Sequence, residues 1–495
     1  MGLGLNLRDQ PYALLPGQSR RCHDVVFTER GAIKTRNGST LLTDAGLTAT
    51  PISLHAFELD AGTKWLVTSG QAAGPSNNLY KTVAGTGVTT ALKTGLTANA
   101  KWDWTSFKVA SGQGPLWGMN GTDTPQQWNG LTGGAPPSDG LSHDWTGTNI
   151  PNGKFLKVYG NRIYVSGKTA APSTVYFSEL NDPTNFPSNN NTEFRSQDGD
   201  QVTGLGLVGD YLIVFKTNAC WTIYDSDTSA NRLLDNAVGC VSDRSVVSTP
   251  YGLIFLAKDG VHWTNGSQVR PISNNIVSLF GTLVPAQRQN ASGVYINGHY
   301  YLSVCTSGST NNTILDCDLR TMDTAKGEAV WARHILPISE LAVQDNKLYG
   351  ALHNASKVYT LFVDGVTADD GVAINWEWVG PWYTFGTPYL DTNVRQFQFD
   401  GKGRFYVQYA KAFNLGNVAN RPADLVGDAE LWGVAGEKWA DPTKRWAAGV
   451  EAARASLYEL GTARAWSPRF SPDPNYPTDQ VTIYSMTWDI QKRNA

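Results

Sequence analysis

A strand, a tight turn and a second strand recur along this chain at a nearly constant interval, and that interval restricts the fold more than any other feature. Located by the turn between its first two strands, each unit falls near Gly62, Gln113, Asn161, Asp210, Gly252, Gly298 or Asn346, at successive separations of 51, 48, 49, 42, 46 and 48 residues. The clearest example runs from Val202 to Ile276. Residues 204–216 read as strand, turn at Gly209-Asp210 and strand, and residues 219–225 add a third strand. The pattern then returns at 245–263, with turns near Gly252 and at Asp259-Gly260. Four strands of about five or six residues, with their turns, use about 40–50 residues. A sheet that small cannot bury both of its faces alone, so consecutive sheets must stack. The spacing predicts an all-β protein: a β-propeller of about seven blades across residues 49–378. Two consecutive β-sandwiches would also place strands at short intervals, but they supply no reason for a steady period.

Composition agrees. At 495 residues the chain exceeds an ordinary single core of about 100–200 residues. Fifty glycines, 11% aromatic residues and only 17% charged residues suit short strands and tight turns. The net charge of −3 lacks the excess of Lys and Arg that gripping nucleic acid by its phosphates requires. No run of about 18 apolar residues occurs. The start, Met1-Gly-Leu-Gly-Leu-Asn-Leu-Arg8, has neither a basic segment with an apolar core nor Ser or Thr at Asn6 for myristoylation, so a soluble chain without a secretion signal or membrane segment is expected. The cysteines (Cys22, Cys220, Cys240, Cys305, Cys317) show no C-x-x-C spacing and read as small core residues, with a Cys305–Cys317 contact open across neighbouring strands.

The flanks differ in texture. Residues 1–48 form an irregular arm carrying a hairpin at 25–36, which is the expected strand donor that closes the last blade and so removes exposed sheet edges. Beyond the Trp-rich stretch 376–383, residues 379–495 are expected to form a separate β-sandwich platform. Its marks are an alternating hairpin at 395–409 and a closing strand at 481–490. An insertion at about 411–470 holds a candidate helix at 440–460. Its Trp432, Trp439, Trp446 and Trp466 read as packed aromatics or as a partner-facing loop.

No chemistry stands out. The chain has no G-x-S-x-G, no H-E-x-x-H and no complete phosphate-binding loop, because Gly167-Lys-Thr169 is preceded by Arg162 where a glycine is needed. Residues 257–263 resemble the Asp-box turn of sialidase-type propellers but lack its leading Ser, and read as an Asp-Gly hairpin turn. The acidic clusters Asp198-Gly-Asp200, Asp225-Ser-Asp227 and Asp369-Asp370 lack a calcium-loop pattern and read as solvated turns. The seven histidines are single. No catalytic, cofactor or metal residue is nominated, and a non-enzyme is expected.

Several stretches are similar to one protein family. Residues 24–38 (Asp24-Val-Val-Phe-Thr-Glu-Arg-Gly-Ala-Ile-Lys-Thr-Arg-Asn-Gly38) look like its early strand, charged turn, basic strand and glycine. Residues 120–130, 175–183 with 198–205, and 239–247 before Asp259-Gly-Val261 carry the same likeness. Over most of residues 20–410 the chain resembles the tail nozzle or tail hub proteins, also called DNA-stabilisation proteins, of short-tailed bacteriophages. The resemblance implies a propeller joined to a β platform, in a virion structural protein assembled in the host cytoplasm. It further implies a homo-hexameric ring below the portal and adaptor, with tail fibre, spike or needle proteins as further partners. Such a ring extends the DNA channel, retains the packaged genome and passes it on ejection without sequence-specific binding. The platform is expected on the portal side and the propeller outside. The competing expectation is a propeller that binds or cleaves host-surface glycans.

Overall fold

The structure is a computed structural model that describes residues 3–28, 31–42, 47, 50–58, 62–71, 76–107, 115–131, 136, 138–195, 197–225, 230–352, 355–385 and 391–411, then strands at 421–425, 429–430, 445–446 and the run 453–492. The chain forms two compact units. One comprises Ser39–Ala329 and Ile335–Leu361, the other Met1–Gly38, Val330–His334 and Phe362–Ala495. The divisions therefore fall at 38/39 and 361/362, rather than at 48/49 and 378/379.

The first of these units is a seven-bladed propeller of four-stranded antiparallel sheets. The first strands of the blades are Thr50–Glu58, Asp103–Ser106, Phe155–Tyr159, Val202–Val208, Val247–Thr249, Ser292–Ile296 and Ile338–Gln344. The turns named near Gly62, Asn161, Asp210, Gly298 and Asn346 lie between the first and second strand of a blade, Gly252 opens the second strand of the fifth, and Gln113 lies outside the described residues. At Gly160-Asn161, Asn297-Gly298 and Asp345-Asn346 both central residues have positive φ, between 51° and 86°. That is the turn whose twist matches the flanking strands, and glycine and asparagine tolerate it best.

The second strands explain why the blades stack. In Tyr211–Lys216, every residue after Tyr211 is buried. Leu212 and Val214 pack into the core shared with the third blade, beside Tyr164 and Val175. Ile213 and Phe215 point the other way, onto Leu253 and Phe255 of the fifth blade. Successive side chains of a strand take opposite faces, so a run of consecutive apolar residues needs a neighbour on each side. Trp65 and Val67 against Leu66, and Leu116 against Trp117 and Met119, divide in the same way.

The ring closes by packing and by pairing. Leu54 and Leu66 of the first blade share a core with Ala342, Tyr349 and Val358 of the seventh, and Tyr349 Oη donates to the Ala84 carbonyl at 3.1 Å. The fourth strand of the seventh blade is Thr40–Leu41, antiparallel to Val358–Leu361. Closure by an early strand is as expected, but the donor is not the hairpin at 25–36. That hairpin, Val25–Phe27 with Ile33–Thr35, joins the other unit, where Ile33 pairs with Ile483. Its alternating Val25, Phe27 and Ile33 are buried there, whereas the closing strand needs only two residues at the next stretch of chain.

The second unit is built around Thr392–Lys411, one strand of 20 residues. Residues 392–402 lie between Thr482–Lys492 and Ala453–Ala463, and residues 403–411 between Trp466–Pro472 and Arg421–Leu425. With Glu377–Val379, Arg21–His23 and the hairpin, these make a nine-stranded sheet folded into two layers. Two corrections follow. The expected hairpin at 395–409 is a single strand that bends at Asp400–Gly403, helped by a register shift at Asp400/Gly401 and a φ of 90° at Gly403. A Cβ at position 403 would press on the Gln480 carbonyl, so only glycine fits. A second shift at Val394/Gln396 moves the buried series from Thr392 and Val394 to Phe397 and Phe399. The layers meet at Phe397, Phe399, Phe405 and Phe470, all fully buried, with Phe405 edge-on to Phe470 at 5.5 Å.

The second correction concerns the candidate helix. Within 440–460, residues from Ala453 onward are strand, paired from Gly401↔Ala453 to Thr392↔Ala463. An open sheet edge has overridden the helix preference of an Ala-rich segment. Residues 440–444 and 447–452 lie outside the described residues, as do Trp432 and Trp439. Trp466 is a packed aromatic, fully buried 5.4 Å from Tyr409.

Closure yields the first prediction. Leu42 donates its N–H to the Val358 carbonyl at 2.9 Å beside the closing strand. Leu42→Pro removes that bond and is expected to cost about 1–3 kcal/mol, read as a lower thermal midpoint with increased protease cleavage of the seventh blade.

Candidate functional site

The first strands of the blades line a cavity of about 180 Å³ on the propeller axis. Its polar lining comes from most of the ring: His55 in the first blade, Asp103 in the second, Lys157 in the third, Asp243 and Arg244 before the fifth, Ser292 in the sixth and Glu340 in the seventh. Near-regular spacing along the chain is what delivers polar groups from six of the seven blades to one place.

Arg244 organises the cavity. Its Nη1 donates to Glu340 Oε2 at 2.8 Å and its Nη2 to the Trp102 carbonyl at 2.7 Å, linking the fifth, seventh and second blades. Lys101 Nζ approaches the other oxygen of Glu340 at 3.2 Å. Asp103 Oδ2 accepts the Leu156 N–H at 2.9 Å, joining the second blade to the third. Ser292 Oγ accepts the Leu341 N–H at 3.1 Å. Glu340 is only 1% exposed. A carboxylate that deep is tolerable because two cations and their hydrogen bonds replace its water.

Titration follows from the same geometry. Burial opposes the charge on Arg244, but Glu340 and Asp243 outweigh it and hold the guanidinium charged. Burial pushes Asp243 up to about 6, against the pull of Arg244. His55 goes the other way: burial, then Lys157 and Arg244, push it down to about 3, which leaves the imidazole neutral near neutral pH. A carboxyl titrating near 6 could pass a proton. Among the described lining residues, however, no hydroxyl or thiol is hydrogen-bonded to a base. What the cluster does chemically is bind blade to blade.

The acidic clusters have other occupations. Asp198 meets Lys216 Nζ at 2.7 Å, and that bond holds its carboxyl below the usual range; the Lys216 side chain is fully buried. Asp200 accepts the Asn218 N–H at 3.1 Å. Asp369 takes Arg36 on both oxygens, at 2.9 and 2.5 Å, while Arg36 Nε reaches Asp24 at 2.6 Å. Asp227 lies outside the described residues. Among the described residues there is no group of three or more His, Cys, Asp or Glu placed to hold a metal. Cys305 and Cys317 are both buried free thiols. Gly167 lies within the second strand of the third blade, at a register shift between Ser166 and Lys168, and Asp259-Gly260 lies between the second and third strands of the fifth. Of the histidines, His143 pairs with Asp139 at 2.9 Å and His299 with Asp316 at 2.7 Å, His262 stacks on Phe255, and His353 lies outside the described residues.

No motif search could have found the channel cluster, because Lys101 and Glu340 are 239 residues apart. The available signal was a titratable residue recurring on the first strand of several units. His55, Asp103, Lys157 and Glu340 all occupy that place.

No protein-family model matches the chain. No curated protein matches it either. Solved structures of similar trace include Raptor of Chaetomium thermophilum, with a TM-score of 0.40 and 11% identity over 70% of this chain and 30% of that one. Another is Sqt1 of Saccharomyces cerevisiae, with a TM-score of 0.41 and 10% identity over 67% of this chain and all of that one. The chain thus spans under a third of the Raptor chain's length. The seven-bladed assignment stands on the strand pairing itself.

Two predictions follow. Glu340→Gln leaves Arg244 and Lys101 without their carboxylate and is expected to destabilise the propeller by about 3–5 kcal/mol, read from the denaturation midpoint. Asp243 has a raised pKa in the fold, so its burial costs stability above pH 6 and that cost is relieved as the pH falls. Asp243→Asn is therefore expected to stabilise the propeller at pH 8, by up to about 3 kcal/mol read from the denaturation midpoint, and to change it little at pH 4.

Proposed function

We propose that this chain is a structural protein of a bacteriophage virion, a subunit of the tail nozzle or hub ring through which packaged DNA is retained and then released. The observation that carries this reading is the weaving of both flanks of the chain into one sheet. Arg21–His23 pairs with Glu377–Val379, and Ile33–Thr35 with Thr482–Lys492, so the arm and the C-terminal region form a single platform and the propeller is a chain insertion within it. That is the propeller-plus-platform organisation of the proteins that residues 24–38 and 175–183 with 198–205 resemble.

Two further features support it. Two of the charged groups lining the propeller's axial cavity, Arg244 and Glu340, are paired with each other, and Glu340 with Lys101, which favours a building element over a substrate pocket. A net charge of −3 suits a wall along which DNA must slide, since a ladder of cations would hold its phosphates. On this reading the protein is not an enzyme, its partners are copies of itself and the portal-adaptor and fibre or needle proteins, and its place is the virion.

Electron-microscopy class averages of the purified chain, alone and mixed with a portal-adaptor ring, test it. A hexameric ring with a central hole that joins the adaptor is the expected result. A monomer that ignores the adaptor and depolymerises capsule or lipopolysaccharide overturns the reading in favour of a glycan-acting propeller.

A further inference from the structure

A second cavity, of about 460 Å³, lies wholly within the platform unit. Pro11, Val379, Tyr409 and Ala410 give it apolar walls, and Arg20, Arg21 and Arg469 bring three guanidinium groups to it. One acid answers them. Glu377 receives Arg21 Nη2 on Oε1 at 2.9 Å and Arg21 Nε on Oε2 at 2.7 Å, and Arg469 Nε stands 2.5 Å from Oε1. Both carboxylate oxygens of Glu377 are thus engaged, leaving an excess of positive charge.

Arg20 holds that excess. Among the described residues no carboxylate lies within ion-pair distance of it, and its buried Nε has no hydrogen-bond partner. Its backbone is fixed by a bond from its N–H to the Val379 carbonyl at 3.1 Å. Its guanidinium lies 5.3 Å from the centre of the Trp382 ring, and Tyr12 stacks on Trp382 at 5.8 Å with 19° between planes. Burial, then the neighbouring Arg21, work against its charge and outweigh the longer-range support of Glu377 and Tyr12. A guanidinium pre-oriented on an aromatic plane, short of a counter-ion and set beside an apolar cavity is a receptor half.

We propose that this cavity is a docking site for a protein segment that carries an Asp or Glu beside apolar residues, the carboxylate pairing with Arg20 and the apolar neighbours filling the wall of Pro11, Val379 and Tyr409. Three features select a peptide carboxylate. Glu377 already shows that guanidinium groups here grip a planar carboxylate by its two oxygens. The space far exceeds one anion, since a water molecule takes about 30 Å³. Tyr12, 52% exposed, offers the partner an aromatic surface at the rim, and arginine with tyrosine and tryptophan is the composition of binding hot spots. The site does not depend on the nozzle reading: it would serve any partner with this chemistry.

The test uses the full chain and a fluorescein-labelled peptide Leu-Asp-Glu-Leu-Val, with its Asn-Gln counterpart, inorganic phosphate and a thymidine oligonucleotide as competitors. Saturable binding of the acidic peptide is expected, weakened about tenfold or more in Arg20→Met and abolished in Arg20→Glu, with the Asn-Gln peptide failing to compete. Arg20→Met keeps the apolar stem over Trp382, so an unchanged melting temperature separates lost binding from lost folding; Tyr12→Ser is the second variant, expected to weaken binding without touching the charge. Absence of binding to the wild type at millimolar peptide overturns the proposal, as does equal binding by Arg20→Met. Stronger competition by phosphate or the oligonucleotide than by unlabelled peptide also overturns it, and assigns the site to phosphate.

Discussion

Each blade carries a second strand with a run of consecutive apolar side chains, from the pair Leu348-Tyr349 to the four of Leu212–Phe215, and this single constraint governs the propeller. Leu212 and Val214 serve one inter-blade core while Ile213 and Phe215 serve the next. No blade can be the last one in a row without exposing such a face to water, at about 25 cal/mol for each Å² left uncovered. An open stack therefore has two costly ends, and a ring has none. The shared core of Leu54 and Leu66 with Tyr349 and Val358 is where the ends are brought together.

A ring held by packing alone still has a seam, and two polar devices cross between blades. The first is the pairing of Thr40–Leu41 with Val358–Leu361, which supplies the seventh blade with an outer strand from the other end of the unit. The second is the axial cluster, where Arg244 ties the fifth blade to the second and seventh. Apolar burial is non-directional, whereas these bonds have fixed geometry, so they select which blades meet. The platform uses different means. A long strand bends at Gly403 so that one chain segment belongs to both layers, and a register shift at Val394/Gln396 keeps its phenylalanines facing inward.

The two charged sites contrast in how completely their charges are answered. On the propeller axis Glu340 is surrounded by Arg244 and Lys101, and burial pushes the nearby Asp243 toward its neutral form. In the platform cavity Glu377 holds Arg21 on both oxygens with Arg469 close by, and Arg20 remains over. A closed charge balance reads as architecture. An open one in a roomy cavity reads as recognition, and for that reason the platform carries the binding proposal.

Local order was legible in the residues alone: the turns at Asn161, Gly298 and Asn346, the repeat spacing, the apolar second strands and the requirement that the sheets stack all follow from short-range preferences and from period-two alternation. The blade count followed from the spacing. What pairs with what at long range did not. The hairpin at 25–36 and the strand at Thr40–Leu41 are both short β segments in the same arm, and only the available edges decide that one joins Thr482–Lys492 and the other Val358–Leu361. The same holds for the Ala-rich segment drawn into a strand by the edge of Thr392–Gly401. It holds too for the axial cluster and the Arg20 cavity, whose members lie hundreds of residues apart in the chain. Backbone preference acts over a few residues, but burial, edge pairing and charge compensation act between groups that only the folded chain makes neighbours.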